Sequence, residues 1–210
     1  MREIVQRYLD EEPYLLKQDG TQFKVPRFLL NDIVRFWRTM AVDFASKQRD
    51  RGGEGWGLRN AKLRMSRKLI FAAGLLTCFS CQLDQGLQKK ISTDLSNIKG
   101  ARRLNLAYLQ DHILRRVSAT PLDVLAADVV EYKIERSVVE DLFGAYDDFL
   151  AMMSDLEKRS HLKELRAENS REDPTFREVQ IFSDRFSRAL KQIFFATEQL
   201  SPLTQKYGVF

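Results

Sequence analysis

The segment from Leu69 to Phe79, LIFAAGLLTCF, constrains the fold of this chain more than any other part of the sequence. Its residues are apolar nearly all round a helix, and a helix without a polar face is buried inside a bundle. The residues from Leu58 to Leu69 have amphipathic helical spacing and lead directly into it. We therefore predict an all-α, multi-helix bundle around one central buried helix at about residues 56–83.

Apolar spacing predicts further helices on both sides of this central one. They are Met1 to Glu12, Pro26 to about Arg49, Ala101 to Val117, Pro121 to about Tyr132, Ile134 to about Ala167, and Thr175 to Leu200. Pro13 to Lys24 is predicted to be a loop with a turn at Asp19-Gly20, and Gln85 to Gly100 a polar connection. The tail SPLTQKYGVF is apolar enough to dock, and no alternation of period two predicts a sheet.

Size and composition indicate an ordinary globular chain of 210 residues with 44% hydrophobic content. We expect one all-α domain over residues 1–210, with a possible subdivision into a helical core with a basic patch (1–84) and C-terminal helices (101–210). No run approaches the roughly 18 to 20 apolar residues of a membrane span, and the N-terminus lacks the apolar part of a signal peptide. Two cysteines, Cys78 and Cys81, suit a reducing cytosol. These features predict a cytoplasmic protein without a membrane partner.

The stretch from Lys47 to Lys68, KQRDRGGEGWGLRNAKLRMSRK, carries most of the positive charge. It has eight basic residues against two acids, a local balance of +6, whereas the whole chain is +5. A basic loop broken by glycines and running into a basic helix start is a candidate surface for phosphate or nucleic acid. The glycine cluster from Gly53 to Gly57 has a second explanation, a hinge that lets two long helices turn back on each other.

Several common catalytic patterns do not fit the sequence. Cys78 and Cys81 form a C-x-x-C inside an apolar helix without a second ligand pair, which favours core residues over a zinc or redox site. Two histidines argue against a histidine-based triad or a multi-histidine metal site. There is no P-loop and no G-x-G-x-x-G after a strand. The clustered acids Asp10, Glu12, Asp147, Asp148, Asp155 and Glu157 are predicted to be surface charge.

Three segments, PRFLLNDIVRFWRTMAVDF (Pro26 to Phe44), GWGLRNAKLRMSRKLIFAAGLL (Gly55 to Leu76) and the ending QKYGVF, carry a resemblance to a known family. They resemble the α-helical region that follows the catalytic domain in predicted bacterial nucleotidyltransferases of the DNA polymerase β superfamily. The resemblance spans most of the chain and is strongest in residues 26–76. It implies a helical domain that packs beside a catalytic sheet and walls the substrate cleft.

The catalytic half of that superfamily has no counterpart in this chain. Its core carries a Gly-Ser turn, an acid-x-acid pair on a strand and a third acid, which hold two Mg²⁺ ions around the nucleotide phosphates. This sequence has no Gly-Ser dipeptide and no predicted sheet, so metal ligands are carried over to no residue. The chain is either the C-terminal part of a longer enzyme or a free-standing protein without the core. Mg²⁺ and a nucleoside triphosphate are expected only with a catalytic domain present.

The resemblance implies a set of phosphate-binding residues on the two long helices. They are Arg35, Arg38, Arg59, Asn60, Lys62, Arg64 and Arg67, with Asp32 and Asp43 orienting the arginines. The competing interpretation of these residues is a buried ion-pair network that fastens two helices and binds nothing. The polar strip of the first helix, which includes Arg35 and Arg38, is alternatively a solvated face with local ion pairs.

Two functions follow as hypotheses. The first is a nucleotidyltransferase-associated binding domain that positions nucleotide or RNA phosphate and has no chemistry by itself. The second is a helical regulatory or interaction protein, similar to an antitoxin, whose basic patch binds an acidic protein partner. An enzyme with an unrecognised active site ranks third, since no nucleophile, base or metal cluster stands out.

Overall fold

The computed structural model describes residues 1–12, 14–16, 22–50, 53–91 and 98–208, and its fold is the predicted all-α bundle. Its α-helices are α1 (Arg2–Glu11), α2 (Arg27–Asp50), α3 (Trp56–Lys62), α4 (Lys68–Leu83), α5 (Gln85–Gln88), α6 (Ile98–Ser118), α7 (Pro121–Glu131), α8 (Arg136–Ser154), α9 (Leu156–Glu164), α10 (Pro174–Ala196) and α11 (Ser201–Tyr207). A 3₁₀ turn covers Ala167–Asn169. The β structure of the described residues is one isolated bridge, between Leu16 and Phe23.

The long helix predicted at residues 56–83 is present but changes type along its length. A π-helical segment, Leu63–Arg67, separates α3 from α4. Residues 71–73 and 75–81 are all buried, as expected for a helix without a polar face. Its central place in the bundle stays a prediction.

Two predicted helices end elsewhere. The continuous helix over residues 134–167 is wrong, because α8 stops at Ser154 and Asp155 starts α9. The Asp155 carboxylate accepts hydrogen bonds from the backbone N–H groups of Glu157 and Lys158, and a side chain that caps a helix start interrupts the helix before it. The last predicted helix ends early, at Ala196, and the tail forms α11, which buries Leu203. The predicted turn at Asp19-Gly20 and the residues Pro13, Arg51, Gly52, Val209 and Phe210 lie outside the described part of the chain.

The chain divides into two compact units, each made of two stretches of sequence. Unit 1 comprises Met1–Val34 and Ala72–Asp128, and its core includes Leu9, Phe23 and Leu109, which are fully buried. Glu12 in this unit corrects the prediction of surface charge, since it is only 1% exposed. Its carboxylate accepts hydrogen bonds from the backbone N–H groups of Arg27 and Phe28, at 3.0 and 3.3 Å, and so caps α2.

Unit 2 comprises Arg35–Phe71 and Val129–Phe210, and α10 packs mainly on α8. The apolar stripe of α10 has helical spacing and is buried, with members Phe176, Val179, Phe182, Phe186, Leu190 and Ile193. Across from it, Tyr146 of α8 stacks at a tilt on Phe186, with ring centroids 5.9 Å apart. This stripe fixes the rotation of α10 about its axis, so the polar residues beside it have defined positions.

Candidate phosphate-binding site

Two polar rows meet inside unit 2. One row is Asn60, Arg64 and Lys68, which follow each other at intervals of four along α3, the π segment and α4. The other row, Ser183, Ser187 and Lys191, has the same spacing on α10. Residues four apart lie on one helix face, so each row presents its side chains to one side.

Arg64 is held by neutral groups. Its Nε donates to Asn60 Oδ1 at 2.7 Å, and its Nη1 donates to Ser183 Oγ at 3.4 Å. The nearest carboxylate oxygen, Asp184 Oδ1, lies 3.9 Å from Nη1 on a side chain that is 71% exposed. Nη2 makes no hydrogen bond within the described chain. A guanidinium held in this way keeps part of its hydrogen-bonding fork for another acceptor.

Lys68 is the second cation of the site. Its Nζ donates to Ser187 Oγ at 2.7 Å, and no carboxylate of the described residues lies within 4.0 Å of it. Burial lowers the pKa of Lys68, and the charges of Arg64 and Lys191 lower it further, with Asp184 acting in the opposite direction. Three cations therefore share this place with one exposed carboxylate. A half-buried ammonium beside like charges is a position where an anion is stabilised.

The two serines are oriented toward the cations by their own helix. Ser183 Oγ donates to the Gln180 carbonyl at 3.1 Å, and Ser187 Oγ donates to the Ser183 carbonyl at 2.7 Å. Because a hydroxyl has a single hydrogen, each oxygen offers its lone pairs to Arg64 and Lys68. The site is thus rich in N–H donors and poor in charged acceptors.

The π-helical segment Leu63–Arg67 lies between the two cations of the first row. Ser66 Oγ donates to the Lys62 carbonyl at 3.2 Å inside it. Such segments are rare and occur often at functional sites, because the wider turn re-aims the side chains that follow. Sequence spacing alone gave no sign of it.

Arg59 has a structural role that the sequence did not indicate. Its Nη2 donates to the Glu54 carbonyl at 2.7 Å, and its Nη1 to the Lys47 carbonyl at 3.5 Å. The last carbonyls of a helix have no partners within it, so Arg59 helps to satisfy the C-terminal end of α2. Its Nε is buried without a hydrogen-bond partner among the described residues.

The other predicted binding residues are distributed along α2, α3 and the π-helical segment. Lys62 and Arg67 are half-buried, Arg38 is exposed, and none of the three side chains makes a hydrogen bond or ion pair within the described residues. Arg35 is exposed on α2. Of the two acids predicted to orient arginines, Asp32 accepts a hydrogen bond from the Tyr8 hydroxyl at 2.6 Å, and Asp43 pairs with Lys47 at 2.8 Å. Their orienting role stays a prediction.

The backbone geometry before α3 explains why this segment contains several glycines. Gly53 and Gly55 have positive φ angles of 84° and 66°, a region that residues with a side chain rarely adopt. Gly57 donates its N–H to the Leu165 carbonyl at 3.1 Å, and a Cβ there would lie 2.8 Å from the Leu162 carbonyl oxygen. The positive φ angles suit a turn between α2 and α3, and the contacts of Gly57 place α3 against α9.

A second polar cluster, Ser80, His112 and Asp84, lies in unit 1. Ser80 Oγ is 2.8 Å from His112 Nε2, and His112 Nδ1 is 3.7 Å from Asp84 Oδ2. The residue types are those of a catalytic triad, but the Ser80 hydroxyl donates to the Thr77 carbonyl at 2.9 Å, so Nε2 must donate to Ser80. A general base needs the opposite direction. Ser80 and His112 are also almost fully buried, at 2% and 4% exposure.

The two cysteines are core residues, as predicted. Both sulfurs are free and fully buried, and burial raises the pKa of the Cys81 thiol to about 12. A thiol with a raised pKa has little thiolate and is a poor nucleophile.

Ser183, Ser187 and Lys191 were missing from the predicted binding residues, and Lys68 was predicted only as the end of the basic surface that begins at Arg59. Lys68 belongs to the basic stretch, but no rule of sequence pairs it with a helix 119 residues further along the chain. The sequence did contain one indication of this pairing: polar residues recur at intervals of four in both rows.

Comparison with known proteins adds no assignment. No family model, no curated protein and no solved structure matches this chain. Within the described residues, no three metal-binding side chains of the types His, Cys, Asp and Glu come together, and no helix is long and apolar enough to cross a membrane.

Proposed function

We propose that this chain is a helical module that binds the phosphates of a nucleotide at the Arg64–Lys68 site, beside a nucleotidyltransferase catalytic domain. The observation that carries the proposal is the pair of cations Arg64 and Lys68, which bind the hydroxyls of Ser183 and Ser187. The charge of Lys191 acts on Lys68 as well, and the one carboxylate near the pair, Asp184, is exposed. A bound phosphate would supply the negative charge that the site lacks. The module has no chemistry by itself.

The alternative of a structural ion-pair network is less well supported. In an ion-pair network that holds helices together, arginines pair with buried carboxylates, and Arg116 of unit 1 is an example. There the guanidinium binds both oxygens of Asp128, and the two side chains are only 14% and 5% exposed. Arg64 is 39% exposed and binds mainly neutral oxygens. Arg64 therefore lacks the buried carboxylate that holds Arg116, and this difference favours a binding role over a structural one.

The donors at the site fit the chemistry of a phosphate group. The free Nη2 of Arg64 and the unused donors of Lys68 can bind separate phosphate oxygens, and charge-assisted hydrogen bonds of this kind are the strong ones. Lys191 would add charge without a fixed hydrogen bond. The pKa of Lys68 would rise on binding, since an adjacent anion favours the ammonium form.

The resemblance to nucleotidyltransferase helical regions supports a role next to a catalytic domain. Mg²⁺ and the metal-binding acids would then come with that domain. We further propose a cytoplasmic location in a bacterium, where nucleoside triphosphates are available and two unpaired cysteines remain reduced.

A thermal-shift titration tests this proposal. The four nucleoside triphosphates with Mg²⁺, and inorganic triphosphate, are added to the purified chain. A ligand that binds only the folded state raises the free energy of unfolding, by about 2.7 kcal/mol at a hundred times its Kd. We expect a shift with triphosphate and with at least one nucleotide.

Arg64→Ala should reduce that shift without lowering the melting temperature of the unliganded protein. The loss of a charge-assisted contact, worth about 1.5–3 kcal/mol, predicts a Kd about tenfold higher or more. Arg177→Ala is the matched control, because Arg177 is an exposed arginine of α10 without a side-chain partner in the described chain. An Arg64→Ala variant with a lower melting temperature and an unchanged shift on addition of ligand would support the structural network instead.

A further inference from the structure

A groove in unit 2, between the second half of α8 and the first half of α10, combines carboxylates with exposed apolar side chains. Its volume is about 390 Å³, a size common among ligand sites. Asp148, Ala151 and Asp155 line it at intervals of three and four along α8 and its C-cap, so they share one side of the helix. Ile181 of α10 also lines the groove, and 64% of its surface is exposed.

Two of the carboxylates keep hydrogen-bonding capacity for a ligand. Asp148 Oδ2 accepts a hydrogen bond from Arg185 Nη1 at 2.8 Å, and Asp155 Oδ1 accepts those of the α9 backbone. The second oxygen of each carboxylate makes no hydrogen bond within the described residues. Glu178, the third carboxylate of the groove, is paired with Lys158 at 2.6 Å. Three carboxylates against these two cations leave an excess of negative charge, which attracts a cation.

The spacing of the two carboxylates selects the kind of cation. Asp148 and Asp155 are seven residues apart, which is two helical turns and about 10 Å along the axis. A metal ion cannot bridge them, because its oxygen ligands lie within about 2–2.6 Å of it. Two ammonium groups joined by an alkyl chain can reach both. The chain would then cover Ala151 and Ile181, as the stem of a lysine covers apolar surface.

We propose that this groove binds a linear polyamine, with one terminal ammonium on Asp148, the other on Asp155, and methylene groups between them over Ala151 and Ile181. The extended chain of spermidine has a comparable separation between its terminal ammonium groups. This inference goes beyond the proposed phosphate site, because the groove uses none of the residues of that site.

A titration of the full chain at low salt, followed by methyl NMR of Ala151 and Ile181, tests the proposal. Spermidine is added first, and then octamethylenediamine, ethylenediamine and octylamine. Octamethylenediamine should bind about tenfold more tightly than ethylenediamine, which has the same charge but reaches one carboxylate at a time. It should also bind more tightly than octylamine, which has the same alkyl chain but only one ammonium group.

Asp148→Asn and Asp155→Asn should each weaken the binding of octamethylenediamine about threefold to fivefold, the usual effect of losing an exposed ion pair. Both variants should remain folded. Asparagine is as good an N-cap as aspartate, and Arg185 keeps its contact with Asp141 in the first variant. Asp147→Asn is the control with the same change in net charge, because Asp147 is an exposed acid of α8 outside the groove, without a side-chain partner in the described chain.

Three results would overturn the proposal. Asp147→Asn with the same loss of affinity would show that only the net charge matters. Ethylenediamine or Mg²⁺ bound as tightly as octamethylenediamine would show that the spacing of the carboxylates plays no part. Octylamine bound as tightly would assign the groove to a single alkylammonium group, such as a lysine side chain of a protein partner. Failure of the triphosphate shift would leave this result unaffected.

Discussion

His112 lies in the core of unit 1, with both of its ring nitrogens near polar groups. Nε2 faces Ser80, and Nδ1 lies 3.7 Å from a carboxylate oxygen of Asp84. Burial lowers the pKa of His112 from 6.5 to about 4; Asp84 acts against this shift and Arg116 adds to it. The folded protein therefore holds the neutral imidazole, which suits a structural hydrogen bond.

This lowered pKa predicts a loss of stability in acid. The unfolded chain takes up a proton on His112 near pH 6.5, whereas the folded chain does so only near pH 4, so stability is complete above 6.5 and falls as the pH is lowered to about 4. A difference of about 2.5 pH units corresponds to about 3 kcal/mol. Urea unfolding of the native chain and of His112→Gln at several pH values measures it, since the other acid titrations are common to both. Parallel pH curves for the two proteins would contradict the prediction.

At the level of single residues, sequence reasoning found part of the candidate site. Asn60 and Arg64 belong to the set of binding residues that the family resemblance implies, and helical spacing places both on the polar side of one helix. Ser187 could not be found in this way, since a serine next to an apolar stripe looks like any other polar position. Glu12 was misassigned for a related reason: besides the guanidinium of Arg27, it binds two backbone N–H groups of α2, which no pattern of side chains shows.

Close packing of backbones decides how α3 meets α9. Gly57 is buried, and its missing side chain leaves room for the carbonyl of Leu162, which a Cβ would approach to 2.8 Å. Because that neighbour is backbone, it cannot rotate away. This contact positions α3, which carries Asn60 and leads into the π-helical segment with Arg64.

Two glycine substitutions test this packing as a matched pair. Gly57→Ala should lower the free energy of unfolding by about 1–3 kcal/mol, the usual effect of overpacking. Gly144→Ala, inside α8, should change the free energy of unfolding less, because alanine is the better helix former by about 1 kcal/mol. The nearest atom is Nη2 of Arg185 at 3.2 Å, at the end of a side chain that also binds Asp141 and Asp148 and needs to shift by only a few tenths of an ångström. Chemical denaturation of both variants gives the comparison. A Gly57→Ala protein as stable as the native chain would refute the account of this contact.

Helices were predicted well as elements and less well at their ends. Apolar spacing identified α1, α2, α6, α7 and α10, since periodicity accumulates over many residues. The break at Asp155 and the π segment depend on one hydrogen-bonding side chain and on a local change of turn, and neither disturbs the apolar pattern. Apolar periodicity, which is averaged over many residues, does not detect such local features.

The whole molecule is built from two units that each use two separate stretches of chain. A division between early and late residues could be predicted from the order of the predicted helices. The discontinuous division into two units could not, because it depends on contacts between distant parts of the chain. Charge is distributed unevenly as well, with +6 in residues 47–68 of a chain whose total is +5. The structure adds to that local excess the cation Lys191, from the second stretch of unit 2.

We propose that Arg64 and Lys68, with the charge of Lys191, form a site for phosphate. Lys68 reports on it directly, because its pKa is lowered by burial and by the neighbouring cations. Its ammonium pKa can be measured by NMR on protein with labelled lysine, with the Lys68→Met spectrum for assignment, first alone and then with saturating inorganic triphosphate. We predict a pKa below the ordinary value of 10.5 in the free protein and a rise toward or above it when triphosphate binds. A Lys68 pKa that triphosphate does not change would contradict the claim.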